Sequence, residues 1–220
     1  DKRTFQHGHQ LKNNLSIDDE VIDDAVSAVK HLKDRSDVDP QRIFIIGHSL
    51  GALLAPEIAH KSAPVAGAVL LAPPGRAPWD VIVAQMKYLE APADKLALAE
   101  AAADQLRTGQ YGPDALLGVP ASYWKDWASH DGVTMAKLLK RPLLIMRGDR
   151  DYQVTDDDIA NWRSGLQSVS NVEFATVTGS NHLFIKGTGK SHPSEYEIAG
   201  HVDELVIHKI VSFIQNTAKQ

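Results

Sequence analysis

The stretch Ile43-Phe44-Ile45-Ile46-Gly47-His48-Ser49-Leu50-Gly51 decides the fold. Four consecutive apolar residues ending at a glycine describe a short strand buried on both faces, as in a parallel sheet covered by helices. From Leu50 to about His60 the residues suit a helix, in which Pro56 removes one backbone hydrogen bond and predicts a bend. Between strand and helix lies a G-x-S-x-G pattern, Gly47 to Gly51. A serine on so tight a turn has strained backbone, and side chains on either side of it would meet neighbouring backbone, so glycine is expected at both flanks. The turn lifts the hydroxyl clear of the sheet and aims the new helix's N-terminus toward it. The Leu50 N–H is then placed to stabilise a developing oxyanion, an effect of about 3 kcal/mol for one donor.

Working outward, Ser16 can cap a helix whose first turn carries Asp18, Asp19 and Glu20, charges that suit its positive end. Val21, Ile22, Ala25, Val26, Val29 and Leu32 recur at helical spacing, and Asp39-Pro40 stops the run. Residues 5–15 are polar and read as loop. Val65 to Ala72 predicts a second buried strand, halted by Pro73-Pro74. Leu143 to Met146 predicts a third and Val172 to Val177 a fourth. Thr155 with Asp158 three residues later resembles a capping box, opening a helix to about Ser168. Val202, Leu205, Val206, Ile210, Phe213 and Ile214 mark a closing amphipathic helix. Strands alternating with helices predict an α/β fold with a mostly parallel sheet flanked by helices. From 75 to 141 the pattern changes to Ala- and Leu-rich helical periodicity and holds three of the four tryptophans. This segment reads as an inserted helical cap, leaving 1–74 and 142–220 as the core.

The 220 residues fit one domain with an inserted subdomain, and 43% hydrophobic content supplies a substantial core. A net charge of -5 argues against a nucleic-acid partner, which demands a basic face. With no cysteine, thiolate chemistry, disulfides and Cys-zinc sites are excluded, while the compartment stays open. No apolar run reaches the length of a membrane-spanning helix. Asp1-Lys2-Arg3-Thr4 is not an initiator region and no signal peptide is visible, so a processed chain or a fragment is expected.

A serine hydroxyl is a poor nucleophile until a base takes its proton. Of ten histidines, His182 in Gly179-Ser180-Asn181-His182-Leu183-Phe184 follows the last predicted strand and can hang over the sheet's C-terminal edge. His48 adjoins Ser49 too closely to reach back, and His192, His201 and His208 lie later, the last within the closing helix. The base needs a carboxylate to hold its tautomer and stabilise the imidazolium. Gly148-Asp149-Arg150-Asp151 follows the third strand. Asp151 is the first choice and Asp149 the reserve, the alternative being that both form surface turns or pair with Arg147 or Arg150. Asp156, Asp157 and Asp158 are explained as charges on a first helical turn. Neither metal nor cofactor is required. Gly187, Gly189 and Lys190 hint at a phosphate loop, but no strand precedes them as that site demands, and they read as a flexible loop near His182.

Together these motifs resemble the α/β-hydrolase superfamily, whose members order their triad Ser, Asp, His along the chain. In finer detail the chain is similar to dienelactone-hydrolase-like and serine-aminopeptidase-like esterases and peptidases, through Asp1-Lys2-Arg3-Thr4, Gly47-His48-Ser49-Leu50-Gly51, Gly148-Asp149-Arg150-Asp151-Tyr152-Gln153-Val154 and Asn181-His182-Leu183-Phe184. The resemblance implies a serine hydrolase of carboxylesterase type acting through an acyl-enzyme on Ser49. A peptidase or amidase of the same fold is the alternative within the family. A non-catalytic binding protein that keeps the fold is the alternative outside catalysis. The resemblance also implies strands and a glycine-rich oxyanion loop ahead of the segment that opens this sequence, with Asp1-Lys2-Arg3 at the end of the fourth strand. A second oxyanion donor is then expected from outside this sequence. The strand at Ile43 would present an unpaired edge, to be covered by a missing N-terminal segment or a second copy. Little or no activity is expected of these 220 residues alone.

Trp79, Tyr88, Tyr123, Trp124 and Trp127 fall in the proposed cap. Trp79, Tyr123, Trp124 and Trp127 are candidates to line a pocket for a small ester or peptide substrate, since such pockets are mostly apolar. The alternative is that they only pack the cap.

Overall fold

The computed structural model describes Gln6 and residues 15–62, 64–110 and 114–217. Asp1 to Thr4, and most of the polar stretch 5–15, lie outside the described residues. A π-helical turn, Asp18–Ile22, leads into α1, Asp23–Lys33. The chain continues as β1 (Phe44–His48), α2 (Leu50–Ser62), β2 (Gly67–Leu71), α3 (Pro78–Tyr88), α4 (Ala93–Thr108), β3 (Asp114–Leu116), β4 (Val119–Pro120) and α5 (Ala121–Ser129). It ends with α6 (Gly132–Leu139), β5 (Leu143–Gly148), α7 (Asp156–Gly165), β6 (Val172–Val177) and α8 (Glu204–Thr217). By its contacts the chain divides into two compact units. The smaller comprises Asp1–Ala25 with Arg76–His130, the larger Val26–Gly75 with Asp131–Gln220.

In the larger unit the strand order is β1-β2-β5-β6 and every pairing is parallel. The period of two along each strand sorts its apolar side chains onto the two faces. Ala68, Leu70, Leu143 and Ile145 face Ala52 and Ala55 of α2, Ala136 of α6, and Ile159 and Trp162 of α7. Val69, Leu144, Met146 and Val177 face Val206 and Phe213 of α8 on the other side. This double burial is why β2 and β5 read as unbroken apolar runs, whereas β1 exposes Ile46 and β6 exposes Glu173 and Thr176. Among the described residues β1 pairs on one side only, with β2, and its Ile46 stands 50% exposed.

Residues 131–141, which the composition assigns to the insertion, instead supply α6. Its Ala136 and Val133 pack into the core cluster that holds α2's Ala52 and Ala55. The periodicity also overextends the closing helix. Val202 precedes α8, pairing with Ile185 in a lone β-bridge, and Val202 and Leu205 are exposed. Asp158 lies in the first turn of α7 and forms the expected capping box with Thr155, and it is fully buried. Its carboxylate accepts the Thr155 N–H at 2.8 Å and the Gly75 N–H at 2.9 Å. Those bonds replace the water that burial removes.

The smaller unit has its own core of Ala99, Leu106, Leu116, Ala121 and Trp124. Helical periodicity alone misses its β3–β4 ribbon, because the connecting Leu117 and Gly118 both take positive φ, 53° and 70°. A two-residue hairpin requires that backbone, and Leu117 carries no sign of it.

Trp162 is fully buried in the larger unit and its Nε1–H donates to the Pro74 carbonyl at 3.0 Å. Trp162→Phe keeps most of the ring but orphans that buried acceptor. It should lower stability by about 1–3 kcal/mol in urea unfolding. An unchanged midpoint would show that the bond contributes nothing.

Candidate active site

Parallel strands deliver all their C-terminal ends to one edge, where the loops that follow them meet. Register places His48 opposite Leu71, Leu71 opposite Met146, and Gly148 opposite Val177. Ser49, Asp151 and His182 each lie just beyond one of these ends, and all three belong to the larger unit.

Ser49 takes a left-handed backbone, φ 54°, a strained conformation for a residue with a side chain. The surrounding bonds hold it there. Its N–H donates to the Leu71 carbonyl at 2.9 Å, and its own carbonyl accepts from Ala52 at 2.9 Å and Leu53 at 3.1 Å as α2 begins. The first N–H groups of α2, including that of Leu50, have no acceptor within the helix. The two flanking glycines are not equivalent. A Cβ on Gly47 would stand 2.1 Å from the Gly51 carbonyl oxygen, whereas a Cβ on Gly51 meets no described atom within 4 Å. The steric requirement expected at both flanks therefore holds at Gly47 alone.

Asp151 and His182 are both nearly fully buried. His182 Nδ1 lies 2.8 Å from Asp151 Oδ2, while Asp151 Oδ1 accepts the N–H groups of Gln153 at 2.8 Å and Val154 at 3.0 Å. An acceptor-only carboxylate against Nδ1 selects the Nδ1–H tautomer and leaves Nε2 with its lone pair. The loops can approach this closely because Gly148 ends β5. A Cβ there would lie 2.2 Å from the Ser180 carbonyl oxygen. Asp149, the reserve, is occupied elsewhere, accepting the Gly179 N–H at 2.7 Å. Among the described residues no hydrogen bond joins the Ser49 hydroxyl to the His182 ring. Such bonds often tighten only when substrate is bound.

His48 has a part that its position beside Ser49 does not announce. Its Nε2–H donates to the His182 carbonyl at 2.9 Å, and the two rings lie 4.6 Å apart, centre to centre. Although part of the residue stays open to solvent, its imidazole is held below the ordinary histidine range. The main cause is removal from water, to which the His182 ring adds; the His182 carbonyl and Asp151 oppose it. Only the folded loops bring residues 48 and 182 together, so no spacing in the sequence announces it.

The aromatic candidates gather in the smaller unit. Trp124 is buried, donates its Nε1–H to the Leu116 carbonyl at 3.2 Å and stacks on Trp127, ring centres 5.7 Å apart. Tyr123 donates its hydroxyl to Glu20 at 2.5 Å, and its pKa is pushed up, first by burial and then by that carboxylate. Trp79 packs against the same core, and its buried Nε1 has no partner among the described residues.

A strand, a strained serine turn, a helix, and a buried carboxylate–imidazole pair after the ends of β5 and β6 now stand on one sheet edge. Residues 5–196 match the model of the Alpha/beta hydrolase family. The chain belongs to that family. It is 41% identical over 220 residues to Esterase EstD of Thermotoga maritima, covering 97% of this chain and 52% of that protein. The chain thus spans about half the length of that relative. Among solved structures, Est1E from Butyrivibrio proteoclasticus with ferulic acid bound gives a TM-score of 0.60 at 15% identity, over 94% of this chain and 71% of its own. The Pyrococcus furiosus esterase Pf2001 gives 0.51 at 20% identity, over 76% and 55%. At such identities these likenesses speak to fold alone. No helix among the described residues is long and apolar enough to cross a membrane.

The asymmetry of the two glycines is testable. Gly47→Ala should destabilise the protein by about 1–3 kcal/mol or more through overpacking against backbone. Gly51→Ala should stay within about 1 kcal/mol of the parent, alanine being the better helix former. Chemical unfolding of both variants measures this, and equal losses would contradict the geometry.

Proposed function

We propose that this α/β hydrolase cleaves carboxylic esters through a covalent acyl-enzyme on Ser49. The observation that carries the reading is the buried 2.8 Å pair of Asp151 and His182, with His182 bonded to His48, the residue next to a serine on a strained strand-to-helix turn. Esterase EstD, 41% identical, supports the choice of an ester over an amide.

In the proposed reaction the Ser49 oxygen attacks the carbonyl carbon while His182 Nε2 takes the hydroxyl proton. The carbonyl oxygen becomes an oxyanion, which the Leu50 N–H at the start of α2 stabilises. Asp151 holds the imidazolium by its Nδ1–H. Collapse of the tetrahedral species expels the alcohol, which leaves with the proton from Nε2. Water, deprotonated by the same nitrogen, then attacks the acyl-serine and releases the carboxylic acid, and the proton returns to Ser49. Of the insertion read between 75 and 141, the part in the smaller unit, Arg76–His130, is read as the cap. Of the aromatic candidates, Trp124 and Tyr123 already spend their polar atoms inside the smaller unit. Trp79 and Trp127 are not bonded in this way and remain candidates to meet substrate.

Ser49→Ala should abolish covalent labelling by a fluorophosphonate in the whole protein, and persistent labelling would put the nucleophile elsewhere. Asp151→Asn should lower kcat by about 10⁴-fold, because an amide favours the wrong imidazole tautomer. An unchanged rate would transfer the role to Asp149. Rates on p-nitrophenyl esters set against aminoacyl-anilides decide between ester and amide.

A further inference from the structure

The loop between β6 and α8 carries His182, yet it is tied down mainly by a group that the acyl-transfer reading does not use. Asn181, adjoining His182, is fully buried. Its Oδ1 accepts the N–H groups of Leu183 at 3.0 Å and Ile185 at 3.1 Å, clasping the turn that presents the imidazole. Its Nδ2 donates to Glu195 Oε2 at 2.9 Å, as does the buried Ser191 hydroxyl at 3.3 Å. The other Glu195 oxygen takes the Arg150 guanidinium. Arg150 adjoins Asp151, and its remaining donors reach the carbonyls of Gly189 at 2.9 Å, Thr188 at 3.2 Å and Gly179 at 3.4 Å. The segment around Gly187 and Gly189 is therefore held by a guanidinium fork rather than left free.

The two loops are joined at their starts by the Gly179 N–H to Asp149 at 2.7 Å and the Arg150 N–H to the Ser180 carbonyl at 3.0 Å, and nearer the imidazole by two further links. One is the direct bond Asp151–His182. The other passes through the residues just before them, Arg150 and Asn181, joined by one carboxylate on the turn Pro193–Glu197. The bonds at 149 and 150 fix where the second loop starts, whereas the link to Asn181 holds the turn from Asn181 to Ile185 that presents the ring. We infer that Arg150 and Glu195 are positioning residues, whose ion pair, extended to Asn181, sets the orientation of the His182 imidazole relative to Asp151 and the serine turn. This rests on the acyl-transfer reading above. Burial works against the charge on Glu195, yet Arg150, Asn181 and Ser191 together hold its carboxyl below the usual carboxylate range. The anion that both donors need is therefore the form present at neutral pH.

Catalytic groups must be held to a fraction of an ångström, and a misplacement of about 1 Å costs on the order of a hundredfold in rate. Glu195→Gln keeps the size of the side chain but replaces one acceptor oxygen by a donor, so it cannot accept from Arg150 and Asn181 together. Arg150→Lys keeps the charge but loses the fork to the three carbonyls. The whole protein is assayed with p-nitrophenyl acetate, and the Nδ1 proton of His182 is followed by ¹H NMR. Glu195→Gln should lower kcat by roughly ten- to a hundredfold with KM nearly unchanged, and should broaden or abolish the Nδ1 proton signal. Arg150→Lys should retain more activity than Arg150→Met. A kcat within about twofold of the parent in Glu195→Gln and Arg150→Met overturns the inference, even if both melt at lower temperature, because the role would then be structural only. The Nδ1 signal in Ser49→Ala separates the two ideas. Parent-like turnover in Ser49→Ala refutes the nucleophile, whereas loss of the Nδ1 signal on Glu195→Gln in that background still supports the clamp.

Discussion

The close approach of two loops, one following β5 and the other β6, governs the rest of the structure. It puts a carboxylate and an imidazole 2.8 Å apart with little water near either. Burying either group alone would be costly, so each is kept only because the other is there. The approach depends on what is missing at position 148: with any side chain there, the backbone at Ser180 would have to move away. That shift would pull His182 off Asp151.

The sheet meets this constraint through its connectivity. In a parallel sheet every strand ends at the same edge, so three segments far apart in sequence arrive there without special linkers. The two core clusters on either face make this edge rigid. Strain is then stored where the rigidity can hold it, at Ser49, whose left-handed backbone is fastened by bonds to β2 and to the first turn of α2. His48 and the Arg150–Glu195–Asn181 chain fasten the imidazole loop from two further directions. On the acyl-transfer reading proposed above, Asp151 and His182 are polar groups whose partners are fixed before any substrate arrives.

The smaller unit follows a different logic. Its aromatic residues build a separate core, and Trp124, with its ring nitrogen bonded to Leu116, is packing material first. A tryptophan in a sequence announces a large apolar surface to be covered, but not whether protein or ligand covers it. The same ambiguity touches Asp158. Of three consecutive aspartates at a helix start, spacing from Thr155 marks Asp158 as the capping partner, but its burial and its bond to the Gly75 N–H appear only in the fold.

By itself the sequence determined the four sheet strands, because runs such as Leu143 to Met146 are apolar on both faces, and it located the serine turn, because a glycine-flanked serine between strand and helix has few other readings. It also singled out Asp151 and His182 by their places after strand ends. Which neighbours complete the site was decided by tertiary structure alone. The bonds from His48 to the His182 carbonyl, and from Glu195 to both Arg150 and Asn181, join residues whose separation in the chain follows no period. The backbone at Leu117, the membership of α6 and the difference between Gly47 and Gly51 were settled in the same way. Local pattern records which face of an element must be buried, whereas contacts between elements depend on how the chain returns in space.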